Sequence, residues 1–413
     1  MTLSVEDTTT ALTVAIKPPS SKGRILGFAF FGLCLMLVIT AYAFTRPLED
    51  FVEYWTAGHF LVAHGNPYSL GEVFRFQKEL GWQEPIPLIA LNPPWILPLL
   101  APLGLVHSYA LAWFLWVAIM GGAVAISSRM LMVLYFGEVR LPEISDATVY
   151  RCLFALSFYP VLLSLKFAQI VPVVLLGTAG LLFYDGKGRP ILAGAFFALT
   201  ALKPNLVYLV WLAILFQSFQ QRRWKTLISA AGVVAALTAV ALVLDPHALS
   251  QYRELMVGPL PRMLMPGMAG AVRSVFGGRN LLWLQFVPPA AGLFWFVPHW
   301  RKHRHRWLWI EQMPVLVAVS LLTTPYGWLF DQTLLAIPII AIAGHHANKL
   351  GRLPSNLVIL YTILNVTLIL LAMASSPWSF VPAPIVIAFL LYRGARAGNN
   401  FSGVQYSYAG SQS

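Results

Sequence analysis

Residues 25–44 carry no charge, and apolar runs of similar character return near 108–127, 149–165, 168–184, 190–202, 205–219, 226–244, 281–298, 308–324, 332–344, 356–374 and 381–392. A helix needs about 20 apolar residues to cross the roughly 30 Å hydrocarbon core of a bilayer, and a spanning segment must satisfy its own backbone. The recurrence predicts an all-α polytopic membrane protein with about twelve transmembrane helices. Composition closes off the soluble alternative: 58% of the chain is hydrophobic and 11% charged, against roughly 45–50% and 25% in soluble domains. A cleaved leader is the other reading of the first run, since Ala41-Tyr42-Ala43 resembles a cleavage site. The polar segment before it is long and the run exceeds an ordinary leader's apolar stretch, so it is read as an uncleaved first helix.

Orientation follows from the charges, because basic residues in short loops stay on the cytoplasmic side. With the N-terminus inside, 19 of the 28 Lys and Arg residues become cytoplasmic, together with seven of the 16 acids. The inner side then carries the whole net charge of +12, the outer side is neutral, and both termini lie inside. A nucleic-acid partner is set aside, because the basic residues sit in short clusters between apolar runs and not along one polar face. His299, His303, His305, His345 and His346 read as part of the basic inner collar. Cys34 and Cys152, the only cysteines, lie inside apolar runs and offer neither a disulfide framework nor a metal-ligand spacing.

The chain divides into a cytoplasmic segment 1–24, a transmembrane domain 25–395 with outer loops 45–92 and 245–280, and a flexible cytoplasmic tail 396–413. Within the domain, 93–106 is apolar but proline-rich and short, and reads as re-entrant or interfacial unless the stretch around Arg129 to Phe136 changes its assignment. Irregular backbone at membrane depth needs protein or a water-filled cavity around it, so a cavity is expected near this segment.

Chemistry concentrates on the outer face. At helical spacing Phe51, Trp55 and Val62 share one face while Asp50, Glu53 and Tyr54 lie on the flank, the pattern of a helix resting in the interface plane. Asp50 is then either a helix cap or a site carboxylate, and Glu49 and Glu53 compete with it. Lys166 and Lys203 sit at two hairpin tips between apolar arms. An ionisable group there costs at least about 2.5–3.5 kcal/mol and marks a functional site unless it snorkels to the interface. Pro204 breaks the helix at Lys203 and leaves that lysine at an exposed end. Arg253, Arg262, Arg273 and Arg279 make the second outer loop locally positive, suited to phosphate oxygens or to lipid headgroups. A third tip carries Tyr326, Trp328 and Asp331, the last either a cap or a site residue. Nucleotide loops, nucleophile elbows and zinc motifs are absent, so an anionic lipid is the more natural ligand than a nucleotide.

The ordered set of short motifs resembles a known family. Asp50 is followed by Tyr54-Trp55, Gly65-Asn66-Pro67-Tyr68, Pro93-Pro94-Trp95, Phe167-Ala168-Gln169, Ala193-Gly194 through Leu202-Lys203-Pro204, Val272-Arg273 and Thr324-Pro325-Tyr326-Gly327-Trp328. In this order they resemble the polyprenol-phosphate-sugar-dependent glycosyltransferases of family 87, typified by mycobacterial alpha-mannosyltransferases. The resemblance implies the GT-C membrane fold, with interfacial helices in the first outer loop. It further implies a bacterial cytoplasmic-membrane enzyme that transfers a hexose or pentose, mannose-like by preference, to a lipid or glycan acceptor outside. Asp50 would be the general base, and Lys203 and Arg273 would hold the lipid phosphate. Gln169, Tyr54, Tyr326 and Asp331 would bind substrate. No cofactor is implied beyond the polyprenyl-phosphate sugar donor, and a divalent metal is left open. The chain departs from the pattern at Ala168, where Gly is frequent, and at Leu329-Phe330-Asp331, where the mannosyltransferases carry a His-rich tip. The competing readings are a transporter or flippase of a lipid-linked glycan, which should show polar groups to both sides, and an envelope scaffold, which would need none of these residues.

Overall fold

The computed structural model describes residues 48–137, 157–258, 266–276, 281–350, 353–374 and 377–396. The expected first span 25–44, both termini, both cysteines, Arg262 and Arg279 lie outside the described residues. Every regular element among the described residues is helical. In chain order they are α1 Phe51–Val62, α2 Leu70–Glu79, α3 Leu97–Gly104, α4 Tyr109–Phe136, α5 Tyr159–Lys166, α6 Val171–Asp185, α7 Pro190–Ala198 and α8 Tyr208–Gln221. There follow α9 Trp224–Leu244, α10 Ala248–Val257, α11 Met268–Phe276, α12 Val287–His303, α13 Trp309–Thr323, α14 Ala336–Leu350, α15 Ser355–Met373 and α16 Pro382–Arg396.

Three of these, α4, α9 and α15, are long and apolar enough to cross a bilayer unaided. Their outer faces expose Phe114, Ile119, Val243 and Leu370, and α9 fully buries two residues, Ala230 and Ala241. Continuous apolar surface of this kind belongs against lipid, not water. The other expected spans in the described residues are shorter. α6 and α13 have 15 residues each, about 22 Å at 1.5 Å per residue, and α7 has nine before a 3-10 turn at Leu199–Leu202. Among the described residues three helices have spanning length and the other expected crossings fall on shorter helices. These helices stop short because they end on a cavity, where surrounding protein covers the irregular backbone.

Segment 93–106 forms a 3-10 turn, Pro94–Ile96, and the eight-residue α3. At about 12 Å such a helix cannot cross the core. It backs instead onto α1, where Gly58 and Gly104 bring the two backbones together. A Cβ on Gly58 would strike the Leu100 carbonyl, and one on Gly104 the Gly58 carbonyl. This contact packs α1 against protein along the face read as apolar. Phe51, Tyr54, Trp55 and Leu61 are buried, Val62 is the exposed member of the expected apolar face, and the Trp55 ring meets Tyr109 of α4 edge-on at 5.4 Å. α4 itself starts on a Ser108 cap and runs past Arg129 to Gly137, which stops it at φ +90°.

The turns separate into two ends. Asp185 at the end of α6 faces Arg223 after α8 at 4.0 Å. The Tyr135 hydroxyl at the end of α4 donates to the Ile310 carbonyl at 2.9 Å, and Asn348 Nδ2 of α14 donates to the Tyr135 carbonyl at 2.9 Å. These are segments read as cytoplasmic from charge. The segments read as outer gather elsewhere, around a cavity.

Candidate active site

The Lys203 tip is built by its own chain break. Pro204 has no N–H to continue the helix, so the carbonyls of Ala201 and Leu202 need outside donors. Trp95 Nε1 reaches the first and Asn92 Nδ2 the second, each at 2.8 Å. The Asn92 carbonyl accepts from the Tyr68 hydroxyl at 3.2 Å, and Tyr68 N–H donates to the Asn66 side chain at 2.9 Å. Three short motifs, Asn66-Pro67-Tyr68, Pro93-Pro94-Trp95 and Lys203-Pro204, are one hydrogen-bonded unit. They hold an amine at the end of a broken helix.

Asp50 precedes α1 without capping it, since its side chain accepts no hydrogen bond from the first turn. Its Oδ2 accepts from Gln169 Nε2 at 3.0 Å. The Tyr54 hydroxyl donates to Gln169 Oε1 at 2.9 Å, which turns the amide nitrogen toward Asp50. Gln169 follows α5 in a turn where Ala168 adopts φ +50°, its carbonyl accepting from Trp116 Nε1 at 2.8 Å. Left-handed backbone favours glycine, so this turn explains a preference for Gly that alanine here meets under strain. Burial raises the Asp50 carboxyl to about 6, against the Gln169 hydrogen bond that favours its charge.

Its acidic neighbours differ in fate. Glu49 pairs with Lys166 at 3.8 Å. Glu53, one turn beyond Asp50, faces the same cavity, and burial followed by the Asp50 charge pushes it up to about 8.

Lys203 Nζ lies 2.9 Å from Asp331 Oδ1 and over the Phe330 ring at 5.1 Å. Asp331 Oδ2 also accepts from Trp328 N–H at 2.8 Å at the start of the 3-10 turn Leu329–Leu335. Asp331 is thus both a cap and a partner of the site lysine. Asn205 Nδ2 ties the lysine tip to the third tip through Thr324 Oγ1 at 3.1 Å and the Tyr326 carbonyl at 3.0 Å.

These groups surround a cavity of about 330 Å³, at the lower end of the range for small-molecule sites. Asp50, Gln169, Lys203 and Tyr326 line it, with Glu53, Asn92, Asn205 and Tyr252 also in the polar wall. Tyr54 and Asp331 stand directly behind, bonded to Gln169 and Lys203. Arg273 is not in the lining. It is buried in α11 and donates through Nη1 to Gln285 at 2.8 Å, while the backbone before α11 meets the third tip where Gly327 N–H donates to the Pro266 carbonyl at 3.0 Å. Glu53 and Asn92 were not singled out as site residues from sequence. The i, i+3 spacing from Asp50 to Glu53 was the available signal; Asn92 had none, because its partner is 110 residues away. Among the described residues no group of three or more His, Cys, Asp or Glu side chains is placed to hold a metal ion.

Residues 90–325 match the profile of Glycosyltransferase family 87. The matched span is more than half of the chain and contains Asn92, Gln169, Lys203 and Arg273, with Asp50 and Glu53 ahead of it and Tyr326 and Asp331 just after. No curated protein and no solved structure matches the chain.

Proposed function

The chain belongs to glycosyltransferase family 87, and from that premise we propose that it transfers a hexose or pentose, mannose-like by preference, from a polyprenyl-phosphate donor to a lipid or glycan acceptor. In this reading the fold is of the GT-C type, and the cavity opens at the outer face of a bacterial cytoplasmic membrane. The orientation is supported by the charge partition and by the cavity itself, whose polar lining comes from five segments expected outside. A membrane-soluble donor suits a site reached among apolar helices in a chain without a nucleotide loop.

The observation that carries the reading is the Asp50 carboxylate, held by Gln169, relieved of capping and set in the same cavity as Lys203. Asp50 takes the proton of an acceptor hydroxyl as that oxygen attacks the anomeric carbon in line, and the bond from that carbon to the phosphate oxygen breaks with its electron pair leaving on the phosphate. Lys203 faces the growing phosphate charge; one of its three N–H donors is taken by Asp331 and two remain. Arg273, engaged by Gln285 outside the lining, leaves the phosphate role to Lys203.

The test is the purified protein in liposomes with a panel of polyprenyl-phosphate sugars, reading release of polyprenyl phosphate and the anomeric configuration of the product. Turnover of one panel member with inversion is the expected result. Turnover of nucleotide sugars alone would overturn the reading.

A further inference from the structure

The cavity holds a second carboxyl that the reaction above leaves unused. Glu53 follows Asp50 by three residues, which sets their Cβ atoms about 5–6 Å apart, and both line the cavity. Among the described residues Glu53 has no ion-pair partner, because Lys203 is held by Asp331 at 2.9 Å and Lys166 by Glu49 at 3.8 Å. Around it stand Asp50 on its own helix, Tyr54 and Gln169 beside it, Lys203 across the cavity, and Tyr252 and Tyr326 on the farther walls. Two ionised carboxylates on one helical turn, both partly covered and without a dedicated cation, repel each other. One of the pair therefore keeps its proton. Asp50 accepts the Gln169 N–H at 3.0 Å, which favours its charged form, while burial and the neighbouring Asp50 charge raise Glu53, and this places the proton on Glu53.

Resting on the assignment of Asp50 as base, we propose that Glu53 is a substrate-binding residue acting as a neutral carboxylic acid, donating a hydrogen bond to an acceptor hydroxyl next to the one that reacts. A protonated carboxyl is a donor, which an ionised one is not, and a buried acid kept neutral for this purpose is an established catalytic device. Because both carboxyls line one cavity, a sugar with two neighbouring hydroxyls can present one to each. The acceptor class is accordingly a sugar or glycan with neighbouring hydroxyls, not an isolated alcohol. A neutral Glu53 also leaves Asp50 as the lone anion on this wall when a donor phosphate enters.

Two measurements test this. In infrared difference spectra of the purified protein, a carboxylic-acid carbonyl band should be present at pH 7, disappear as pH rises through about 8, and be missing in Glu53→Gln. With the panel donor that turns over and alkyl glycosides as acceptor probes, Glu53→Leu should raise the acceptor KM about tenfold. Glu53→Gln, which restores an N–H donor without charge, should recover most of that loss. A Gln variant as impaired as the Leu variant, with both folded by thermal unfolding, overturns the proposal, as does a band indifferent to Glu53→Gln. Should neither variant fold, the wild-type band decides: its absence at pH 7 is fatal. If Asp50→Asn keeps turnover, the base assignment fails, and the infrared result still judges the proton on Glu53.

Discussion

Asp50 accepts its hydrogen bond from Gln169, 119 residues away, at 3.0 Å, and not from the first turn of its own helix. A carboxylate used as a cap has its lone pairs committed to backbone N–H groups. This one is oriented by a side-chain amide that is itself oriented by the Tyr54 hydroxyl, and it looks into a cavity shared with Lys203.

Asp50→Asn should lower turnover by at least about 100-fold with the folded protein retained, because a general base needs its charge and lone pair whereas a cap tolerates Asn. Turnover of the wild type should fall as pH drops through about 6, not through about 4 as for an ordinary aspartate. An acid limb near 4, or near-normal turnover by the Asn variant, would remove the base from its role.

Stability should follow the same carboxyls with a definite sign. Both Asp50 and Glu53 are raised in the folded state, so the folded protein binds their protons more tightly than the unfolded chain. Their contribution to stability is full below about pH 4 and is lost as pH rises through about 6 and then about 8. Thermal unfolding between pH 5 and 9 should show the wild type declining more steeply than Glu53→Gln up to about pH 8, where the extra slope ends; curves parallel throughout would contradict it.

Lys203→Met should lower the turnover number more than it raises the donor KM, since stabilisation of a leaving phosphate grows toward the transition state. Pure donor anchoring would give the reverse. Arg273→Gln should affect turnover less than Lys203→Met and thermal stability more, because its guanidinium is buried against Gln285. Equal turnover losses in the two variants would place both cations on the phosphate.

Trp95→Phe removes the donor to the Ala201 carbonyl without touching the cavity lining. A backbone acceptor left unsatisfied costs about 1–3 kcal/mol, so thermal stability should drop and turnover should fall through a displaced Lys203. Unchanged stability and turnover would separate the Pro93-Pro94-Trp95 motif from the site.

For the topology, membrane-impermeant thiol labelling from outside should modify a cysteine placed at 75 and spare one at 302. The opposite pattern inverts the molecule.

By itself, the sequence determined that the chain lies in a membrane, where most helices start and stop, and which tips carry ionisable groups. Apolar runs, proline breaks and basic clusters are local properties, each legible within a few residues of its effect. Only the tertiary structure decided which acid of Glu49, Asp50 and Glu53 meets a lysine and which face the cavity, since the deciding partners are Lys166 and Gln169. It also decided that Asp331 pairs with Lys203, that Arg273 lies against Gln285, and that α1 packs closely against α3. Hydrogen bonds and backbone contacts between residues tens to more than a hundred positions apart impose no periodicity on either segment. Their only trace in the chain is the residue type at each end, which is the same for a partner, a cap or a solvated side chain.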